Sequence, residues 1–277
     1  MQNSYDGKST LYLVSTPIGN LEDMTYRSVK VLEEVEVIFS EDTRVTLNLL
    51  QFLKISKKLI ALHEHNEDSV KEKVLEYLKM GRNVALVTDR GTPIISDPGF
   101  KTVEYIIKND YNVVALPGAT AFVPALISSG IAPQPFMFYG FLNSNENKRK
   151  QELEKLSDNE HTMIFYEAPH RIMRTLNLMF EVFGDRNISV SREITKKFES
   201  IYRGKISEVM NIIPEKGEFV LVVEGNNSNN IDESLTVVDA VNLYIKAGLS
   251  VMDAIKKVAK ERNVSKSEIY NIYHKGG

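Results

Sequence analysis

Four stretches of this chain are dense in glycine, proline, serine, threonine and aspartate: "STPIGNLED" from Ser15, "SEDTR" from Ser40, "TDRGTPIISDPG" from Thr88 and "LPGAT" from Leu116. Each closes an apolar run of strand character. Glycine lets backbone approach a ligand, hydroxyls donate and accept, and proline fixes a turn while removing a donor. Any single loop between a strand and a helix collects such residues for turn geometry alone. Four of them at strand ends point to one ligand pocket at the carboxyl edge of a sheet. "TPIGN" has one glycine rather than the three of G-x-G-x-x-G, and G-x-x-x-x-G-K-[ST] does not occur. The chemistry suits a nucleoside or an amino-acid-bearing ligand held without a phosphate loop.

Elements that would position these loops follow from periodicity. "TLYLVST", "VEVIFS", "NVALVT" and "NVVALPG" read as strands. Helical patterns lie between them: one with Val29, Leu32 and Val35 and an N-cap at Asp23 or Thr25, then "VTLNLLQFL", "SVKEKVLEYLKM" and "KTVEYIIKN". This alternation predicts a mostly parallel sheet with helices on both sides. After "PGAT" a helix is expected over 121–129. Strands follow at "QPFMFYGFL", "HTMIFYEA", "NISVSRE", "ESIYRGK" and "EFVLVVEG", with a polar turn over 143–147. The expected organisation is an N-terminal α/β domain over 1–118, a second, mixed α/β domain over 119–226, a linker over 225–234, and a helical tail over 235–277.

Composition narrows the classes further. Of 277 residues, 43% are hydrophobic and 26% charged, which excludes a largely disordered chain. No cysteine is present, so disulfides and thiolate metal sites are excluded. No apolar run approaches the roughly 18 residues that read as a spanning helix, and "MQNSYDGKST" lacks a signal-peptide pattern. A soluble, cytoplasmic protein without membrane partners is expected. Net charge is −3, so contact with nucleic acid would need local patches. Lys148-Arg149-Lys150 is one candidate. The tail is another, with seven Lys and Arg against four Asp and Glu. Both also suit solvated helix faces.

"LYLVSTPIGNLEDMTYRSVKVLEEVEVIFSEDTR", "HEHNE", "TDRGTPIISDPGF", "LPGATAFVPAL", "YEAPHRI" and "GDRNISVSREITKKFESIYRG" occur in that order. Together they closely resemble the ribosomal RNA methyltransferases of the tetrapyrrole methylase superfamily, over roughly 11–225. The resemblance implies two α/β domains with S-adenosylmethionine in the cleft between them, and a homodimer. It implies methyl transfer to the ribose 2′-hydroxyl of a cytidine in 16S ribosomal RNA, free or within the small subunit. It also implies a cofactor wall from Pro17, Gly19, Asp89, Gly91, Thr92, Pro93, Ser96, Ala119, Thr120, Tyr166 and Glu218, with Gly217 beside the last. Ile94 and Ile95 would add apolar surface. Arg90 departs from the family pattern, in which a small residue is usual.

Such a transfer needs oxygen, carbon and sulfur in line, and a group that takes the hydroxyl proton. Candidate bases are Glu41, Asp42, His63, His65, Glu167 and Glu193, while Arg44 or Arg171 would hold a neighbouring phosphate. Each has a plainer role open to it. Asp42 and Arg44 suit a mutual pair or a helix cap, and Glu193 suits a bridge to Arg192 or Arg171. His63 and His65 lack a third ligand at metal-binding spacing, so no metal is expected. In the tail, "GLSVMDAIKKVAKERNVSKSEIYNIYHK" breaks near 263–265 and reads as a helix-turn-helix-like unit. Lys256, Lys257, Lys260 and Arg262 would be its phosphate contacts; the alternative is a packing unit. Other readings keep the fold but place the methyl group on a tetrapyrrole or a protein side chain, or give a non-catalytic module that binds cofactor and RNA.

Overall fold

A computed structural model describes residues 2–4, 6–226, 235–246, 249–262 and 264–275. The N-terminal lobe runs β1 (Thr10–Leu13), α1 (Tyr26–Glu34), β2 (Val37–Ser40), α2 (Thr43–Phe52), β3 (Lys58–Ala61), α3 (Glu67–Lys79), β4 (Val84–Val87), α4 (Phe100–Lys108) and β5 (Asn112–Ala115). Its five strands are all parallel, in the order β3-β2-β4-β1-β5. β2 and β4 are buried at every position. Side chains alternate between the faces, as a strand period of two requires. Leu11, Val37, Phe39, Val84 and Leu86 pack under α3 and α4; Ile38, Ala85 and Val87 pack under α1 and α2. Helices therefore cover both faces, and the four strand ends open at one edge.

Thr25, not Asp23, caps α1, its side chain accepting from the Ser28 N–H; Asp23 lies in a preceding 3-10 turn. β3 has no counterpart in the sequence reading. It is a four-residue edge strand, "KLIA", exposed at its first position and half-buried beyond. Pairing with β2 makes it a strand, where its own pattern does not.

The second lobe holds α5 (Phe122–Ser128), β6 (Phe136–Phe141), α6 (Glu146–Leu156), β7 (Thr162–Glu167), α7 (Ile172–Phe183), β8 (Asn187–Arg192), β9 (Ser200–Lys205), α8 (Ile206–Met210) and β10 (Phe219–Val223). Strand order is β6-β7-β10-β8-β9, with β6 and β7 parallel and the other neighbours antiparallel. α5 packs on the face made by Ile164, Val220 and Val222. α6, α7 and α8 cover the opposite face.

α6 begins inside the stretch expected to be a turn, with Asn145 accepting from the Lys148 N–H as its cap. The middle residue of the basic run on this helix is not solvated, although Lys148 is exposed. Arg149 is buried, donating to Thr175 Oγ1 at 2.7 Å and to the Ser144 carbonyl at 3.2 Å. Lys150 pairs with Glu181 at 2.5 Å.

Three helices form the tail: α9 (Val237–Lys246), α10 (Val251–Glu261) and α11 (Lys266–Lys275). They share a core of their own, with Ala240, Val241, Ala254, Ile255, Val258 and Ile269. Thr236, Ser250 and Ser265 each accept from the N–H three residues on, of Asp239, Asp253 and Glu268. Each start is thus a Ser/Thr-x-x-acid signal. Most of the expected linker, 227–234, lies outside the described residues. Among those described, no helix is long and apolar enough to cross a membrane.

Candidate functional site

All four strand-end loops meet at the turn after β4. The Thr16 N–H donates to the Gly91 carbonyl at 2.9 Å, and the Gly91 N–H to the Thr16 carbonyl at 3.0 Å. Thr92 Oγ1 donates to the Ala119 carbonyl at 3.0 Å and lies 3.2 Å from Ser15 Oγ. The Asp42 N–H donates to Asp89 Oδ1 at 3.0 Å, and Thr88 Oγ1 to Glu41 Oε2 at 3.0 Å. Gly91 commits both backbone groups to Thr16, so it offers a ligand bare Cα surface, not hydrogen bonds. The turn also forces Ile94 to φ +80°. A β-branched residue there is a genuine outlier, costing about 1–3 kcal/mol. Its side chain packs into the α3–α4 core while Ile95 faces the cleft.

Two cavities flank this turn, and Arg90 lines both. The larger is an interlobe cleft of about 480 Å3. Gly91, Thr92, Ser96, Thr120, Tyr166, Glu167 and Glu218 line it, as expected cofactor or catalytic residues. Ile18, Ile95, Asp97, Phe141, Ile194 and Val220 join them. The second cavity, about 460 Å3, lies on the N-terminal lobe beside α2. It takes Pro17, Gly19 and Asp89, which the resemblance had assigned to the cofactor wall. Pro93 is buried behind the turn, and Ala119 faces a third hollow beside α5.

Ionic contacts tie the lobes together across the cleft mouth. Arg90 pairs with Glu218 across the lobes, and within the second lobe Lys196 bridges Glu218 at 2.7 Å and Glu193 at 3.1 Å. Thr195 Oγ1 donates to Asp23 Oδ2 at 2.5 Å. The stem of Lys196 lies where a Cβ on Gly19 would sit, so that glycine serves close approach. Lys196 is therefore Glu193's partner, in place of Arg192 or Arg171.

Electrostatics separate the carboxylates. Asp42 is held down at about 2, chiefly by the Arg44 guanidinium bonded to it, and caps α2. Burial works to raise Glu193, but the Glu218 N–H and the Lys196 ammonium outweigh it and hold that group below its ordinary value. Both are poor proton acceptors near neutrality. Arg44, bound to Asp42, is the exposed member of that pair. Glu41 accepts from Thr88 and lines neither cavity. Asp89 and Asp97 go the other way: burial pushes both up, with neighbouring carboxylates adding to it. Asp97 was passed over in the sequence, although it stands inside the quoted turn, because "SDPG" also reads as plain turn chemistry. His63 and His65 lie against each other, rings 6.0 Å apart, and line neither cavity.

Glu167 is almost wholly buried, and both its oxygens are taken. Oε1 accepts from Arg171 Nε and from the Ala168 N–H, the latter at 2.8 Å; Oε2 accepts from Thr175 Oγ1 at 2.5 Å. Thr175 in turn accepts from Arg149. This chain sets the "YEAP" turn rather than presenting a free base, and it spends Arg171 inside the lobe. Glu167→Ala leaves the largely buried Arg171 guanidinium without its counter-charge, removes the acceptor of Thr175, and is expected to cost about 3–5 kcal/mol. Urea unfolding followed by fluorescence checks it. A loss under 1 kcal/mol would show the network is not structural.

Comparison with known proteins places this geometry. The family model described as tetrapyrrole (corrin/porphyrin) methylases matches residues 10–210. The Bacillus subtilis protein "Ribosomal RNA small subunit methyltransferase I" is 50% identical over 285 residues, covering 99% of this chain and 98% of that one. A Synechocystis protein of the same name is 40% identical over 270 residues, covering 95% and 96%. Among solved structures, a Thermus thermophilus uroporphyrin-III C-methyltransferase complexed with S-adenosylhomocysteine superposes with a TM-score of 0.55 at 16% identity. That match covers 77% of this chain and 97% of that one, and at this identity it speaks for the fold alone.

Proposed function

The chain belongs to the tetrapyrrole methylase family, as one of its ribosomal RNA methyltransferases, and from that premise we propose that it methylates the ribose 2′-hydroxyl of a cytidine in 16S ribosomal RNA. S-adenosylmethionine is the methyl donor. The interlobe cleft suits it. Ile95, Phe141, Tyr166 and Val220 give apolar surface for a purine, while Ser96 and Thr120 carry hydroxyls. Glu167 is paired with Arg171, and Glu218 with Arg90 and Lys196, so Asp97 is the lining carboxylate with no ion pair among the described residues, and it suits a positively charged ligand. The space over Gly91 is one that a Cβ would enter, 3.1 Å from Ile18 Cγ2.

Bound there, the cofactor supplies an activated methyl group on a sulfonium. The protein's part is to align an incoming hydroxyl and take its proton. Asp89 is the carboxylate we assign to that step. Burial makes it a better acceptor than an ordinary aspartate, and Oδ1 is fixed by the Asp42 N–H. It stands on the partition between the two cavities, next to Arg90. The observation that carries the reading is this juxtaposition: an interlobe cleft with apolar walls, hydroxyls and the Asp97 carboxylate, and beside it a raised carboxylate facing a second hollow.

Incubation with labelled S-adenosylmethionine and small subunits lacking the mark should transfer label to the RNA, and ribose-resolved mass spectrometry should place it on a 2′-oxygen. Label on a porphyrinoid or a protein side chain and none on RNA would move the substrate elsewhere in the family.

The tail is the second contact we assign to RNA. Lys256 is exposed and pairs with Asp253 at 3.2 Å; Lys257 lies 4.5 Å from the Tyr244 ring. Arg262 donates to the Leu235 carbonyl within the tail, and the Lys260 side chain lies outside the described residues. Deleting 235–277 is expected to leave cofactor binding intact, because both lobes keep their cores. RNA methylation should fall about tenfold or more, with a shallower salt dependence as phosphate contacts are lost. Initial rates across a potassium chloride series check it. Rates equal to those of the full chain would leave the tail a packing unit.

A further inference from the structure

The second cavity has no occupant in the mechanism so far. α2 presents Val45, Asn48, Leu49 and Phe52 to it, the i, i+3, i+4, i+7 spacing of a single helix face. Leu21 closes the opposite side. This wall is unusually apolar for a surface: Leu21 is 40%, Val45 40% and Phe52 59% exposed. At the floor lies Thr46, a buried residue whose hydroxyl has no hydrogen-bond partner. A buried polar group left unpaired costs about 1–3 kcal/mol, a local cost carried under this wall. Thr88 and Asp89 form the side nearest the cleft, and Arg90 and Lys196 stand at the rim.

We propose that this cavity receives the base of the nucleotide being methylated, a pyrimidine turned out of its stack, so that its ribose lies against the Asp89–Arg90 partition. The proposal rests on the reading above and names its recognition subsite. Enzymes that work on one nucleotide of a structured nucleic acid extrude it into a pocket and read its edge by hydrogen bonds and its faces by stacking. Each need has a residue here. Phe52, Val45 and Leu21 flank a ring. The Asn48 amide offers both a donor and an acceptor to a pyrimidine edge. Arg90 and Lys196 supply cationic N–H groups beside the flanking phosphates. The volume of about 460 Å3 holds a nucleoside but not a tetrapyrrole lying flat. Arg90 is the residue that lines both cavities, so a base in one and the cofactor in the other approach each other there, with Asp89 on the side of the base.

Two exposed positions test this without threatening the fold. Phe52→Ala removes the stacking face, and Asn48→Leu removes the edge-reading amide. Both should bind S-adenosylhomocysteine within about twofold of wild type by calorimetry and melt at the same temperature. Phe52→Ala should lower kcat/KM for unmethylated small subunits about 10- to 100-fold, as loss of a base–aromatic stack does. Asn48→Leu should reduce the preference for cytidine over uridine at the target position about tenfold, as a lost base-edge contact does. A wild-type protein that methylates no RNA would sink the underlying reading rather than this one. A wild type that does, with both variants matching it in rate and base preference, overturns the subsite. A Phe52→Ala protein that loses activity because it no longer sediments as a dimer also overturns it, assigning the wall to a second copy of the chain.

Discussion

Gly91→Val is expected to weaken binding of S-adenosylhomocysteine about 100-fold or more while leaving both lobes folded. Gly91 sits at φ +82°, where a side chain costs about 1–2 kcal/mol and a β-branched one more. The backbone cannot rotate to relieve this, because its N–H and C=O are both paired with Thr16. A Cβ would already stand 3.1 Å from Ile18 Cγ2 and 3.7 Å from the Ala119 carbonyl. The remaining branches must point into the interlobe cleft, where no protein atom stops them and a ligand would. The backbone strain is the same with and without ligand and comes off stability; steric exclusion of the ligand alone is expected to reach about 3 kcal/mol, which is roughly two decades in affinity. Calorimetric titration reads the loss directly, with Gly91→Ala falling between. Wild-type affinity in the valine protein would mean the cofactor lies away from this turn.

That turn was legible in the sequence for a simple reason. Glycine, proline and aspartate mark the ends of buried parallel strands, and those ends share one edge wherever strands and helices alternate. What stayed hidden depends on partners far away along the chain. Arg149 looked like part of a solvated run; its burial follows from Thr175, 26 residues on, and from Glu167 beyond it. Nothing local says that Arg90 reaches Glu218, 128 residues away, or that it lines two cavities where one pocket was expected. Pro17, Gly19 and Asp89 fall in the second of these. α2 read as an ordinary amphipathic helix, because an apolar face lining a hollow and one packed in a core have the same period. β3 escaped for the opposite reason: four half-exposed residues carry no period at all.

Asp89→Asn is expected to lower kcat by about 10²–10⁴, the range for loss of a general base, with cofactor affinity nearly unchanged. Asparagine keeps the shape, and its oxygen can still accept the Asp42 N–H. What it loses is the capacity to take a proton. The pH profile should separate this from a structural effect. Burial raises the Asp89 carboxyl, so the acid limb of kcat should lie above the ordinary carboxylate range near 3.8 in the wild type. It should vanish in the asparagine protein, whose residual rate would be flat there. Stability should move the other way. A carboxyl whose folded value is raised favours folding fully below its unfolded value, and that contribution is lost as pH rises through the folded value. At neutral pH the wild type therefore carries a charge it would fold better without. Asparagine is neutral throughout, so the variant should melt at the same temperature or higher. A slow enzyme that is no less stable, binds cofactor and has lost its acid limb would identify a group kept for chemistry at the fold's expense. A variant with wild-type kcat would return the proton to another carboxylate, with Asp97 next in line because burial raises it on the cofactor side of the same turn.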